Sequence, residues 1–271
     1  QMTAFATPVQ ARTLPSCWGH RGASAELPEN TIASFKQDGA EGIESDTDVH
    51  ISQDNVLVMF HDPSLDRTMD GAGNIKTTNY YGGLDQMRTR EHPHQPMATF
   101  KETMDLLSQP ENSHVVLNLD IKPENDAEKV FALMADCIHQ YPNYETALAP
   151  RLILGLWHPK FIEPAKRLLP TCRRICISCS TTLARKFFWG HVDGFSIAFA
   201  DLMGGDGPQF RRDCQQAGLK LYVWTVNDRD EMIEASKWQV EAILTDRCTD
   251  FLELRKSMQG VFVDIVDLTA N

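Results

Sequence analysis

The stretch GLKLYVWTVNDRDEMIEASKWQVEAILTD, Gly218 to Asp246, decides the fold class. Residues 219–225 form a short apolar run rich in aromatic and branched side chains, the pattern of a strand with both faces buried. Residues 228–236 carry a helical pattern, and residues 242–245 (AILT) are a second short apolar run. Gly218 stands where a preceding helix must stop before the strand begins. Strand, helix and strand in such quick succession are a βαβ unit, the building block of parallel α/β folds.

Outward from this unit the same alternation fills the chain. Further strand candidates lie at residues 17–19, 42–47, 115–121, 152–156, 174–178 and 194–199, and helix candidates at 30–38, 100–108, 124–139 and 208–217. Gly39 marks another helix stop. No internal repeat, low-complexity block or linker interrupts the pattern, and 271 residues suit one barrel with few insertions. The expectation is a single α/β domain, a (β/α)8 TIM barrel over residues 17–258, with an N-terminal extension at 1–16 and a C-terminal tail at 259–271.

One apolar run, residues 56–60, does not fit this count. Only Ser52–Asn55 are left as a connection once the second strand runs on past Thr47, far short of the dozen that a parallel crossover needs. The segment DVHISQDNVLVMFHD, Asp48 to Asp62, therefore reads as a hairpin turning near residues 53–55. Symmetric pairing about that turn returns His61 to within a residue or two of Asp46 and Asp48. Residues 62–96, with four glycines, read as a loop-rich cap over one end of the barrel.

Composition narrows the function classes. Apolar residues make up 42% and charged residues 23%, enough for a well-ordered core. A net charge of −11 excludes a general nucleic-acid binder, which needs a basic surface. It leaves room for a small anionic substrate, because one local metal ion outweighs the global sign. Seven irregularly spaced cysteines do not make a disulfide framework and point to a reducing compartment. The first fifteen residues lack a signal-peptide pattern, and no stretch reaches the roughly 20 apolar residues of a membrane span. The expected location is intracellular, cytoplasmic or peripheral to a membrane or lipid surface.

Three clusters carry chemistry. His20-Arg21-Gly22 follows the first strand, and residues at strand C-terminal ends line the active site of such a barrel. Next to it, Pro28-Glu29-Asn30-Thr31 reads equally well as a helix start. In the second cluster, Glu44 and Asp46 are two apart on a strand and share a face, where they would repel unless a cation or a proton lies between them. Asp120 could add a third carboxylate, with Lys122 beside it; an ordinary Asp120–Lys122 ion pair is the plainer reading. Three hard oxygen ligands suit Mg²⁺ or Ca²⁺ rather than zinc. The third cluster is His61-Asp62, brought back by the hairpin. Two histidines beside a metal and Arg21 have the parts for phosphodiester cleavage, one removing a proton and the other supplying one.

Taken together, HRGASAELPENTIASF (residues 20–35), IESD (43–46), VLVMFHD (56–62) and LDIK (119–122) resemble the glycerophosphodiester phosphodiesterase family. LDRTMDGAG (65–73), the helix start at 96–102, YVWTVN (222–227) and ILTD (243–246) extend the likeness over most of the chain. The resemblance implies a barrel of the phospholipase C-like phosphodiesterase type and one divalent cation held by Glu44, Asp46 and Asp120. It also implies catalytic roles for His20 and His61, phosphate contacts from Arg21 and Lys122, and a site shaped by Glu29 and Trp224. One departure is Asp120, where the family commonly has Glu.

The substrate so implied is a small glycerophosphodiester, cleaved when a glycerol hydroxyl attacks the phosphate and water opens the cyclic product. GLWHP (155–159), ICISCS (175–180) and GFSIAF (194–199) are similar to the fungal phosphatidylglycerol phospholipase C branch, which implies instead a phospholipid substrate, diacylglycerol release and contact with a lipid surface. A catalytically silent metal-binding barrel acting as a scaffold is the alternative from another class. Cys172, Cys176 and Cys179 read as thiols in and around a buried strand rather than a zinc site. Phe187-Phe188-Trp189 reads as a helix end packed on the barrel, and Asp66, Arg67 and Asp70 read as loop hydrogen bonders. His158 either faces the site or starts a helix.

Overall fold

The computed structural model describes residues 13–37 and 47–268, with side chains through residue 259. Nine strands form one sheet: β1 (Ser16–Gly19), β2 (Thr47–Ile51), β3 (Leu57–Met59), β4 (Leu117–Ile121), β5 (Leu152–Leu156), β6 (Arg173–Ser178), β7 (Gly194–Ala198), β8 (Lys220–Trp224) and β9 (Ala242–Thr245). Their order is β1-β9-β8-β7-β6-β5-β4-β2-β3. Every pairing is parallel except β2 with β3. With β3 set aside, this is the neighbour order of a (β/α)8 barrel read from β1 round to β2, and the fold is of that TIM-like type.

The helices are α1 (Ile32–Gln37), α2 (Phe100–Leu107), α3 (Ala127–Ile138), α4 (Tyr144–Ala147), α5 (Ile162–Leu168), α6 (Thr181–Phe188), α7 (Phe199–Met203), α8 (Gly207–Gln216), α9 (Arg229–Ser236) and α10 (Cys248–Leu268). Local chemistry fixes several starts. Thr99 and Glu102 make a reciprocal capping box at α2, and Asp126, Ser180 and Asp228 accept first-turn N–H groups at α3, α6 and α9. The expected helices begin or end within a few residues of those observed. Gly218, at φ +68°, supplies the left-handed turn between α8 and β8. Gly39 and residues 42–46 of the second strand candidate lie outside the described residues; the described part of that strand runs on to Ile51.

Two apolar layers hold the barrel. The larger lies between strands and helices, with Leu119, Leu154, Cys176, Phe195 and Val223 meeting Phe131, Phe161 and Phe210. The smaller holds Trp18, Ile153, Ile175, Tyr222 and Leu244, with Trp18 and Tyr222 in ring contact at 4.9 Å. Just ahead of β5, Arg151 ties neighbouring segments together. Its guanidinium donates to the carbonyls of Ala147 (2.9 Å), Asn112 (2.9 Å), Val115 (3.1 Å) and Leu107 (2.7 Å). That end of the barrel is stapled by one side chain.

The hairpin is present as expected, with Val49 opposite Met59 and Ile51 opposite Leu57. Asn55, at φ +64°, takes the tight left-handed position in its turn. Beyond it the cap folds over a small core of its own, Val58, Phe60, Leu65, Met69, Ile75, Leu84 and Met97. Phe188 is buried and Trp189 stacks on Phe195 at 5.5 Å, so this helix end packs on the barrel, while Leu183 and Phe187 stay exposed. All seven cysteines are free thiols. Burial pushes Cys172 up to about 12, the behaviour of a small apolar residue. Among the described residues no helix is long and apolar enough to cross a membrane.

Candidate active site

The mouth of the barrel is built from strand ends. His20 follows β1, and its backbone N–H continues the β1–β9 ladder to the Thr245 carbonyl at 3.0 Å. This places the ring beside Asp246, the first residue after β9. His20 Nδ1 donates to Asp246 Oδ1 at 2.7 Å. Ser24 Oγ donates to the same oxygen at 3.0 Å, and Asn227 Nδ2 donates to Oδ2 at 2.5 Å. Burial works against ionisation of Asp246, but His20, Asn227 and Ser24 together hold it down to about 2. The carboxylate thus orients the ring with Nδ1 inward, leaving Nε2, 3.5 Å from Thr225 Oγ1, as the nitrogen turned to chemistry.

The other side of the mouth comes from the hairpin. Phe60 N–H donates to the Asp48 carbonyl at 2.8 Å, so the next residue, His61, lands beside the Asp48 side chain. His61 Nδ1 donates to Asp62 Oδ1 at 2.6 Å, and its Nε2 lies 3.5 Å from Asp48 Oδ2. The buried His50 ring holds the backbone here, with Nε2 3.2 Å from the His61 carbonyl. Burial, with the positive charges of Arg21 and Lys122, lowers the His61 pKa against the pull of Asp62, so its neutral form is favoured.

Between these arms lie two fully buried carboxylates. Asp48 on β2 is directly opposite Asp120 on β4, and both are inaccessible to solvent. Lys122 Nζ bridges them, 3.0 Å from Asp48 Oδ1 and 3.0 Å from Asp120 Oδ2. Trp157, just beyond β5, donates its indole N–H to Asp120 Oδ1 at 2.6 Å. Its ring meets Trp224 edge to face with centroids 5.7 Å apart. The Trp224 indole N–H is buried with no hydrogen-bond partner among the described residues.

A chain of charges closes the mouth. Arg21, held at φ +63° in the turn after β1, reaches Glu29 at 3.3 Å. Gly22 follows because a Cβ there would stand 2.5 Å from Ser34 Oγ. Arg67 from the cap grips Glu29 with two nitrogens, at 3.0 and 2.6 Å, and turns Nε to Asp62 at 2.5 Å. Burial opposes ionisation of Glu29, but the Arg67 hydrogen bonds and the Arg21 charge keep its pKa below the ordinary value.

The sequence-predicted residues therefore divide. His20 with Arg21 and Glu29, and His61 with Asp120, Lys122 and Trp224, all lie at the mouth in connected groups. Glu44 and Asp46 lie outside the described residues. Among the described residues no group of three histidine, cysteine or acidic side chains forms a metal cluster. The plain reading of Asp120 with Lys122 as an ion pair is present as a bond, but Lys122 is shared with Asp48. His158 caps a 3-10 turn through Nδ1. Arg67 is more than a loop hydrogen bonder, because it joins the cap to Glu29 and Asp62.

Sequence reasoning missed Asp48, Trp157 and Asp246. Asp48 continues the two-residue period from Glu44 and Asp46, so the signal was available. Trp157 and Asp246 fall within GLWHP (155–159) and ILTD (243–246), stretches that carry the likeness without giving either residue a role.

The model of the glycerophosphoryl diester phosphodiesterase family matches residues 20–249. A barrel hydrolase of phosphoric diesters is thus the class defined here. The chain belongs to the glycerophosphoryl diester phosphodiesterase family. A glycerophosphodiester phosphodiesterase of Caldanaerobacter subterraneus is 28% identical over 84% of this chain and 92% of its own length. Among solved structures, an Oleispira antarctica phosphodiesterase in complex with the product sn-glycerol-3-phosphate has a TM-score of 0.74 and 26% identity, covering 89% of this chain and 96% of that one. A Parabacteroides distasonis glycerophosphodiester phosphodiesterase shares the fold with a TM-score of 0.75 at 20% identity, over 92% of this chain and 99% of the other.

Proposed function

We propose that this enzyme hydrolyses glycerophosphodiesters to glycerol phosphate and a free alcohol, with His20 and His61 sharing the acid and base roles and a divalent cation held at the buried carboxylates. The observation that carries this reading is the pairing of two histidine–carboxylate dyads with the Asp48–Lys122–Asp120 bridge. Glycerol phosphate bound as product in the Oleispira antarctica relative supports the glycerol part of the substrate.

The donor set fits a hard cation. Asp48 and Asp120 present carboxylate oxygens on adjacent strands in register, both within 3.0 Å of the Lys122 ammonium, and hard oxygen donors of this kind suit Mg²⁺ or Ca²⁺. Glu44 and Asp46, from the acidic run before β2, are assigned to complete the set. These carboxylates would hold Mg²⁺ or Ca²⁺, which would supply Lewis acidity to a hydroxyl and to the phosphoryl oxygens. Arg21 and Lys122 offset the remaining charge on the phosphate. One imidazole Nε2 takes the proton from the glycerol hydroxyl next to phosphorus, which attacks to form a cyclic phosphate. The other imidazole protonates the departing alkoxide, and the two exchange roles as water opens the ring. Asp246 and Asp62 hold each ring by Nδ1 throughout. The unpartnered N–H of Trp224 is a donor for the bound diester.

The test is turnover of glycerophosphocholine, glycerophosphoethanolamine, glycerophosphoglycerol and phosphatidylglycerol vesicles with Mg²⁺, with Ca²⁺ and with EDTA. Metal-dependent glycerol phosphate release from the soluble diesters is expected. Diacylglycerol from the vesicles alone would transfer the enzyme to phospholipids, and no turnover with either metal would overturn the reading.

A further inference from the structure

Trp157 touches three partners at the mouth at once. Its N–H donates to Asp120 Oδ1 at 2.6 Å, its ring lies 5.0 Å from Lys122 Nζ, and its edge meets Trp224. Lys122 in turn bonds Asp120 Oδ2, so the indole and the ammonium each hold one oxygen of the same carboxylate. An Asp carboxyl turns about its last torsion with little resistance, because such torsions are broad. With Oδ1 and Oδ2 bonded on opposite sides, that rotation is stopped. We propose that Trp157 is a positioning residue for the cation site: its N–H fixes the plane of the Asp120 carboxylate, and its ring face seats the Lys122 ammonium.

The inference rests on the reading above that Asp120 holds a divalent cation. The physical logic is that of any ligand whose orientation is set by an outer hydrogen bond. Removing the outer partner leaves the ligand present but misdirected, and typically weakens metal binding by about 10–100-fold. A cationic group over an indole face also gains electrostatic attraction from the ring. An aromatic residue used only for packing would need no N–H at this point.

Trp157→Phe separates these roles, since it keeps a ring beside Lys122 and Trp224 and deletes only the donor. Binding of MgCl₂ and of CaCl₂ to the metal-stripped full-length wild type and variant is measured by calorimetry without substrate. Glycerophosphocholine turnover is then followed as a function of metal concentration. The expected result is binding weaker by about 10-fold or more in the variant, with turnover returning towards wild type as metal is raised. Thermal unfolding of the metal-stripped proteins should coincide. Equal metal affinity in the two proteins would overturn the proposal while leaving the cation reading intact. So would a loss of turnover that added metal does not recover, since that marks a packing defect. A wild type that binds neither ion would remove the cation reading and this inference with it.

Discussion

The two histidines do matching chemistry from unlike foundations. Among the described residues His20 is anchored within the barrel: Asp246 follows β9, and the groups that hold Asp246, Ser24 and Asn227, are neutral and sit in the turns after β1 and β8. His61 is anchored by later additions to the barrel, the hairpin and the cap, and the group that holds its Asp62 is a cation, Arg67. The His20 side chain is 10% exposed and the His61 side chain 28%. One arm rests on the barrel and the other on the hairpin and cap, and the cap's Arg67 reaches both, directly through Asp62 and through Glu29 to Arg21 beside His20.

The largest test of this comparison is removal of each ring. His20→Ala and His61→Ala should each lower kcat by about 10³-fold or more, as expected for loss of a general acid or base, with unfolding transitions close to wild type. Near-normal turnover in either variant would dissolve the pairing. A smaller effect should separate the foundations. Arg67→Ala leaves Asp62 and Glu29 without their shared cation and should lower kcat by about 10-fold, on the scale of a lost orienting partner. Its turnover should also become less sensitive to salt than wild type, because an exposed charge pair is the part that ions screen. An unchanged rate and salt response would mean that the cap does not steer His61.

The smallest effect concerns stability. Asp246 is held at about 2, below its ordinary carboxylate value of 3.8, so its bonds stabilise the fold above pH 3.8 and are lost as pH falls through 2. Asp246→Asn should therefore unfold more easily than wild type at pH 7 by about 1 kcal/mol, discounted for the exposed third of the side chain. Urea titrations at pH 7 and near pH 2.5 check the sign: the gap between the two proteins should narrow in acid. A gap that widens would assign the stabilisation to another group.

Much of this was legible beforehand. The alternation of apolar runs with helical patterns located the strands, and the four residues between two runs were too few for anything but a hairpin. His20 and His61 are legible as chemistry-bearing side chains at the ends of apolar strands, whereas the roles of Arg21, Glu29, Asp120 and Lys122 follow from the family resemblance. Asp48 did not stand out, because the second strand was ended at Thr47, whereas it continues into the hairpin and carries Asp48 into register with Asp120. Asp246 meets His20 across 226 positions of sequence, through the β1–β9 pairing, and such a separation leaves no local trace. Trp157 enters the sequence reading only within GLWHP, a stretch that gives it no role of its own. Arg67 reaches Glu29 across 38 positions, and only the folded cap aims it there.

The cap packs Leu65, Met69, Ile75 and Leu84 on Val58 and Phe60 of the hairpin and adds polar ties farther out: Arg67 with Glu29, and Lys76 Nζ with the Glu124 carbonyl at 2.7 Å. It is in effect a cassette. Evolution, or a protein engineer, can exchange residues 63–96 for another segment that keeps the Leu65 and Met69 filling and the Arg67 hook, and so retune what the mouth admits while the His61–Asp62 pair and the rest of the catalytic framework are inherited unchanged.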